Sequence, residues 1–230
     1  MANQKHLEII IQGYEVWNKW REENPRTQPD LFEAELSGID LSGNWPEKMN
    51  LTEANLSRAS LVGANLSTAN LSGANLTDSN LYETDLWDSH LIGSDLRSAD
   101  LRKAILRKTN CKRANLNGCN LTEADLRGTG FVEATLIEAN FTKANMEFAY
   151  LMASDLRRAI FRYTRLQRAY FMQADISWAD FSGADLTIAA LTDANLCGAD
   201  LSSCEGLTRH QIESARIDEN TKLPDYLQEL

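Results

Sequence analysis

Proline, cysteine and histidine are scarce in this 230-residue chain, at four, four and three residues. Pro25, Pro29, Pro46 and Pro224 all lie outside residues 51–201. A proline cannot donate a ladder hydrogen bond, so a long stretch without one can be hydrogen-bonded throughout, and the prolines mark its boundaries. The cysteines follow no metal-ligand spacing and are too few for a disulfide framework, which leads us to expect reduced thiols in a cytoplasmic protein. No apolar run approaches the ~20 residues of a membrane span, and no secretory signal precedes the proline-free stretch. Histidine is just as uninformative: His90 falls at an outward-facing position, and His6 and His210 lie near the ends. Neither metal nor cofactor is expected.

What the chain has in abundance is a beat of five. From Leu51 to Leu201, 31 successive fifth positions hold Leu or a Phe, Ile, Met or Cys in its place. The slot two residues before the next central position is small from Ala54 to Cys204, with 21 Ala, four Ser, four Thr and two Cys. A helix repeats every 3.6 residues and a strand every two. A five-residue beat therefore requires the chain to turn a corner once per repeat, as a solenoid does. In the unit around Leu71 (Ala69, Asn70, Leu71, Ser72, Gly73), Leu71 and Ala69 point inward and the other three face water. Close packing leaves no room for a large residue in the Ala69 slot.

The pairs Asn50-Leu51, Asn55-Leu56, Asn65-Leu66, Asn70-Leu71, Asn75-Leu76 and Asn80-Leu81 match the consensus A(D/N)LXX, and the chain resembles the pentapeptide-repeat family. That resemblance implies an all-β solenoid, a right-handed quadrilateral β-helix with four repeats to a coil. Residues 20 apart then stack, as Phe141, Phe161 and Phe181 suggest, and likewise Tyr150 with Tyr170 and Met152 with Met172. About eight coils stacked ~4.8 Å apart are expected. The segment GYEVWNKWREENPRTQPDL also resembles the leader of many cyanobacterial members, and ENTKLPDYLQEL resembles a recurrent tail.

The expected organisation is an N-terminal helical cap and linker (1–29), the repeat solenoid (30–205) and a C-terminal cap (206–230). Leu7, Ile10, Ile11, Tyr14, Trp17 and Trp20 recur at helical spacing and predict one helix over 4–22. A membrane anchor there is disfavoured by the short Ile9–Ile11 run and by four acids and four bases through Arg26. Thr208–Ala215 predicts a short helix with Thr208 as N-cap. Between Leu41 and Leu51 the beat is interrupted at residues 43–50, read as a loop or distorted corner that keeps the five-residue register.

Catalysis is not expected. Asp85, Asp95, Asp100, Asp125 and Asp155 all precede a central residue, where a short polar side chain can bond the backbone of a corner. Seven glycines, among them Gly63, Gly73 and Gly93, follow a central residue by two places and suit corner geometry better than a phosphate loop.

The net charge of −10 is unevenly spread. Residues 30–96 hold 11 acids and 2 bases, residues 97–170 hold 7 and 14, and residues 171–230 hold 11 and 3. Some relatives imitate DNA and bind DNA gyrase, inhibiting it or protecting it from drugs; that function is the alternative which the resemblance implies. A DNA mimic needs continuous negative potential, about one charge per 1.7 Å, and the basic middle interrupts it. Nucleic-acid binding by the belt of Arg97, Arg102, Lys103, Arg107, Lys108, Lys112 and Arg113 is opposed by the acidic thirds on either side.

The sharper signal is apolar. Val132, Met152 and Met172 fall in one outward column, Tyr150 and Tyr170 beside them, and Phe148 at the preceding corner, with Ala153 uncharged and Arg113, Arg165 and Arg168 near the edges. Such a composition suits a protein-interaction surface. We therefore expect a non-enzymatic scaffold that binds an unidentified protein through this patch. Pairing of like chains into a homodimer, or a purely structural self-assembling solenoid, are the alternatives. No membrane partner is expected.

Overall fold

The computed structural model describes residues 1–43 and 47–227. Asn44, Trp45 and Pro46, within the predicted interruption, and the last three residues of the tail lie outside the described residues.

A typical repeat donates four backbone hydrogen bonds, and the residue before the centre pairs one coil back, as Asn70 N–H does with Met49 O (2.9 Å). In the repeat of Leu51, the Leu51 N–H donates to Asn70 O (2.8 Å) and Glu53 N–H to Ser72 O (2.9 Å), both one coil ahead. The Ala54 N–H then closes the corner on Leu51 O (3.1 Å). The third corner residue is left-handed, with φ near +60° at every corner from Glu53 to Gly198. Such a turn favours glycine, yet Phe148, Tyr163, Trp178 and Ile188 also adopt it. The amides of Phe148, Tyr163 and Trp178 stay in the ladder, for example Phe148 N–H to Gln167 O (3.1 Å), and that bond holds them in a conformation costing roughly 1–2 kcal/mol per residue.

Parallel pairing joins residues 20 apart from Asn50↔Asn70 to Asp185↔Glu205, so four five-residue faces make one coil of a right-handed β-helix. The first coil differs: Asp30↔Asn55, Glu35↔Ser60 and Asp40↔Asn65 pair across 25 residues. The five extra residues therefore fall at the corner between Leu41 and Leu51, and the order of faces survives. A side chain at Gly43 would collide with the backbone of Glu47–Met49, which explains a glycine there.

Central positions are buried along the whole rod, and the small positions are buried from Met49 onward. Met49, in the small slot before Leu51, is large and still fully buried. Where Ala gives way to a polar residue, the buried group commonly finds a wall carbonyl, although the Ser89 hydroxyl has no partner among the described residues. Thr84 Oγ1 donates to Leu61 O (2.7 Å), Thr109 Oγ1 to Leu86 O (2.6 Å) and Cys119 Sγ to Leu96 O (2.8 Å). This satisfaction offsets the cost of polar burial. Inside, Phe141, Phe161 and Phe181 stack with centroids 5.0 and 4.8 Å apart.

The predicted N-terminal helix is two helices, α1 (Gln4–Ile10) and α2 (Tyr14–Glu23). Gly13 breaks it at φ +96°, a conformation closed to most side chains. Ile10 and Trp17 are buried as their spacing suggests, but Ile11 is exposed because the break turns it away. The cap satisfies the first coil: Trp17 Nε1 donates to Asn50 O (2.7 Å), Asn18 Nδ2 to Lys48 O (2.9 Å), and His6 Nδ1 accepts from Asp30 N–H (3.0 Å). At the other end α3 (Arg209–Glu213) starts at Thr208 with a reciprocal capping box to Gln211. Gln211 Nε2 also donates to Leu186 O (3.0 Å) and Ala189 O (2.9 Å). Pairing continues past residue 205, at Asn195↔Arg216 and Asp200↔Lys222, so the C-terminal segment completes a last coil as well as covering it.

Candidate protein-interaction surface

The wall centred on Phe131, Leu151 and Phe171 departs from the polar pattern, and the 20-residue register sets its columns. Tyr150 bridges Tyr170, with rings 5.1 Å apart and nearly parallel at 3°. Arg113 N–H donates to Val132 O, Glu133 N–H to Met152 O and Ala153 N–H to Met172 O, which places Val132, Met152 and Met172 one above another. These three are half-buried, and Tyr150 and Phe148 are each 42% exposed. At the preceding corner the Arg168 guanidinium lies over the Phe148 ring, 5.4 Å from its centroid.

The charged neighbours differ in their freedom. Arg165 is paired with Glu147, so it borders the patch as half of an ion pair. Arg113 and Lys112 share Glu133 (2.6 and 3.5 Å), and Arg127 and Arg107 share Asp125 (2.7 and 3.6 Å). Arg168 and Lys108 have no carboxylate partner among the described residues. The rim on this side of the rod is therefore net positive.

The sequence reading missed Ile188, which is 66% exposed and continues the Phe148–Arg168 column. Its signal was available, 20 residues beyond Arg168. The reading also missed Tyr163 and Trp178, exposed at two other corners. Their rings lie over Gly183 and Gly198, where an added Cβ would come within 2.6 Å of them. An aromatic followed by glycine 20 residues later was the clue. A hollow of about 490 Å³ beside Trp178 is lined by Glu138, Arg157 and Arg158. Glu138 pairs with Arg158 (3.5 Å) and Arg157 with Asp155 (2.7 Å).

Among the described residues no group of three or more His, Cys, Asp or Glu is placed to hold a metal ion. The repeat carboxylates are engaged at corners. Asp95 Oδ1 accepts from Arg97 N–H (3.2 Å), and Asp100 Oδ1 from Arg102 N–H (3.1 Å). Side-chain hydrogen bonds from Arg97 and Arg102 hold both carboxyls below the usual carboxylate range. His90 is shifted down by partial burial and by Lys48. No helix is long and apolar enough to cross a membrane among the described residues.

A family profile described as Pentapeptide repeats (8 copies) matches residues 50–88, 88–122, 119–158 and 149–187. Among solved structures, full-length QnrB1, a plasmid-mediated fluoroquinolone resistance protein, is similar with a TM-score of 0.63. It is 22% identical over 85% of this chain and 95% of QnrB1, a likeness of fold. HetL, a protein involved in heterocyst differentiation regulation from Nostoc sp. strain PCC 7120, is 27% identical over 90% of this chain and 96% of its own, with a TM-score of 0.36. A protein from the Arabidopsis thaliana thylakoid lumen is 30% identical over 47% of this chain and 69% of its own, also at 0.36. No curated relative matches the chain.

Proposed function

The chain belongs to the pentapeptide-repeat family, and from that premise we propose that it is a non-enzymatic scaffold which binds another protein through the wall of Tyr150 and Tyr170. The observation that carries this reading is the apolar surface made by Phe148, Tyr150, Met152, Tyr170, Met172 and Ile188 on a rod whose other outward positions are mostly polar. Aromatic residues, Met and Arg together are enriched where proteins meet. Val132 extends the surface downward, and Arg165 and Arg168 border it. Its four free cysteines suit a reducing, cytoplasmic setting.

The test is affinity capture from a lysate of the source organism, comparing wild type with Tyr150, Met152, Tyr170 and Met172 all changed to Ser. A protein retained by wild type and lost by a variant of unchanged circular dichroism supports the reading. Identical captures would reduce the wall to a cross-coil ladder that only stabilises the rod. Gyrase binding, the resistance-protein alternative, meets an obstacle in the basic middle third, where 14 bases face 7 acids. Submicromolar inhibition of gyrase supercoiling would nevertheless establish it.

A further inference from the structure

The corners of this rod are normally capped by the residue before the centre. Where that residue is Asn or Asp, its Oδ1 accepts the N–H of the residue after the centre. On the face of interest Thr52 N–H donates to Asn50 (3.2 Å), Ser72 to Asn70 (3.1 Å) and Lys112 to Asn110 (3.1 Å). The same bond recurs on the other faces, as at Arg102, Thr122, Thr142 and Ser182.

In the next four coils the capping position holds Gly130, Tyr150, Tyr170 and Ala190, and none of these side chains can accept at that distance. The amides of Val132, Met152, Met172 and Thr192 have no acceptor among the described residues. They form a column of four donors about 4.8 Å apart, directed to the outer surface where an Asn or Asp oxygen would otherwise stand. Lower on the same face Ile92, which follows His90 and Leu91, is uncapped alone, and on the other faces uncapped amides occur singly, as at Arg107 and Gln167, or as the pair Ser37 and Val62.

We propose that this column is the polar half of the docking surface, and that its occupant is an extended, acidic segment of a partner protein lying along the rod. The proposal rests on the reading of the preceding subsection and specifies the partner's chemistry. Backbone amides in a row attract carboxylate and carbonyl oxygens. The rim supplies the complementary sign: Arg168 and Lys108 are unpaired, and two pairs of bases each share one acid. The stacked tyrosines and the Met column beside the amides accept apolar side chains alternating with the acids. A second copy of this chain fits less well, because the same face would bring another column of donors and another basic rim.

Gly130→Asn with Ala190→Asn separates this inference from the broader one. Both changes restore caps, to Val132 and Thr192, and leave every apolar residue of the patch in place. At Gly130 nothing but Thr109 O, at 3.9 Å, lies within 4 Å of an added Cβ. The probes are dye-labelled decapeptides of alternating Glu and Leu, and of alternating Gln and Leu, titrated by fluorescence anisotropy. We expect the Glu peptide to bind wild type more tightly than the Gln peptide, with affinity falling as salt rises. The double variant should lose at least about tenfold, as expected for losing hydrogen bonds to a charged group. Arg168→Gln should weaken the same peptide. Equal binding of the Glu peptide to wild type and double variant would overturn the amide column and leave the apolar patch standing. No preference for Glu over Gln, or no binding at roughly 1 mM peptide, would overturn the acidic occupant. If sedimentation shows that wild type pairs with itself and the double variant does not, the occupant is a second copy and the proposal fails.

Discussion

Changing Gly130 to Asn should make the protein more stable. Gly130 occupies the capping position, its φ is not left-handed, and the space around it is open. Asn110 marks what the new side chain would do, since its Oδ1 accepts Lys112 N–H at 3.1 Å one coil below. A new hydrogen bond contributes about 0.5–1.5 kcal/mol net. Replacing glycine removes freedom from the unfolded chain, for about 0.4–1 kcal/mol more. Ordering the Asn side chain offsets part of this, on the order of 0.5–1 kcal/mol. The net expectation is about 1 kcal/mol, or about 2–4 °C in Tm for a chain of this size. Scanning calorimetry checks it, with Asn110→Gly as the opposite change, lowering Tm by a similar amount. If Gly130→Asn leaves Tm unchanged or lowers it, the cap is not a stabilising device, and an uncapped Val132 amide loses its meaning. A rise in stability together with a fall in acidic-peptide binding would show that the uncapped column costs stability and serves recognition.

Other expectations concern the interior and the charges. Phe161→Ala should cost roughly 3–5 kcal/mol by denaturant melt, because Phe161 is fully buried between Phe141 and Phe181; a loss under about 1 kcal/mol would contradict the stacked interior. Iodoacetamide at pH 8 should modify Cys197 alone in the native protein and all four cysteines in urea. Burial raises the Cys111 thiol and pushes Cys119 and Cys204 up to about 12, which keeps them protonated, and Cys197 is half-exposed. Acid should destabilise the rod. Asp95 and Asp100 titrate lower when folded than unfolded, so their contribution is complete above the unfolded value of about 4 and is lost as pH falls below it. Denaturation midpoints at pH 7 and pH 3 measure the effect, and Asp95→Asn with Asp100→Asn should shrink the difference.

Much of the architecture was legible because each feature repeats. A Leu at one fifth position is weak information, but 31 in succession leave few other folds. The Phe and Tyr recurrences at 20 then set the number of faces, and Thr208 announced α3 through its capping chemistry. The N-terminal helix was misread because the apolar spacing of Leu7, Ile10, Tyr14 and Trp17 runs through Gly13 without a gap, and periodicity alone does not register a backbone break. The C-terminal segment was read only as a cover, since nothing local in Arg216 or Lys222 shows that they pair with Asn195 and Asp200.

The patch residues were likewise placed in their columns by counting in twenties. Counting could not tell which arginines are free. Arg165 and Arg168 look alike in the sequence, but the first meets Glu147 and the second rests on Phe148. The sequence by itself determined the fold, the stacking register and the sign of charge along the rod, because these follow from a periodic pattern of size and polarity read one residue at a time. Only the tertiary structure decided the 25-residue first coil, the broken cap, the spare charges and the open amide column. Those depend on which hydrogen bonds remain after coil has met coil, and a donor is unpaired only relative to every neighbour that could have accepted from it.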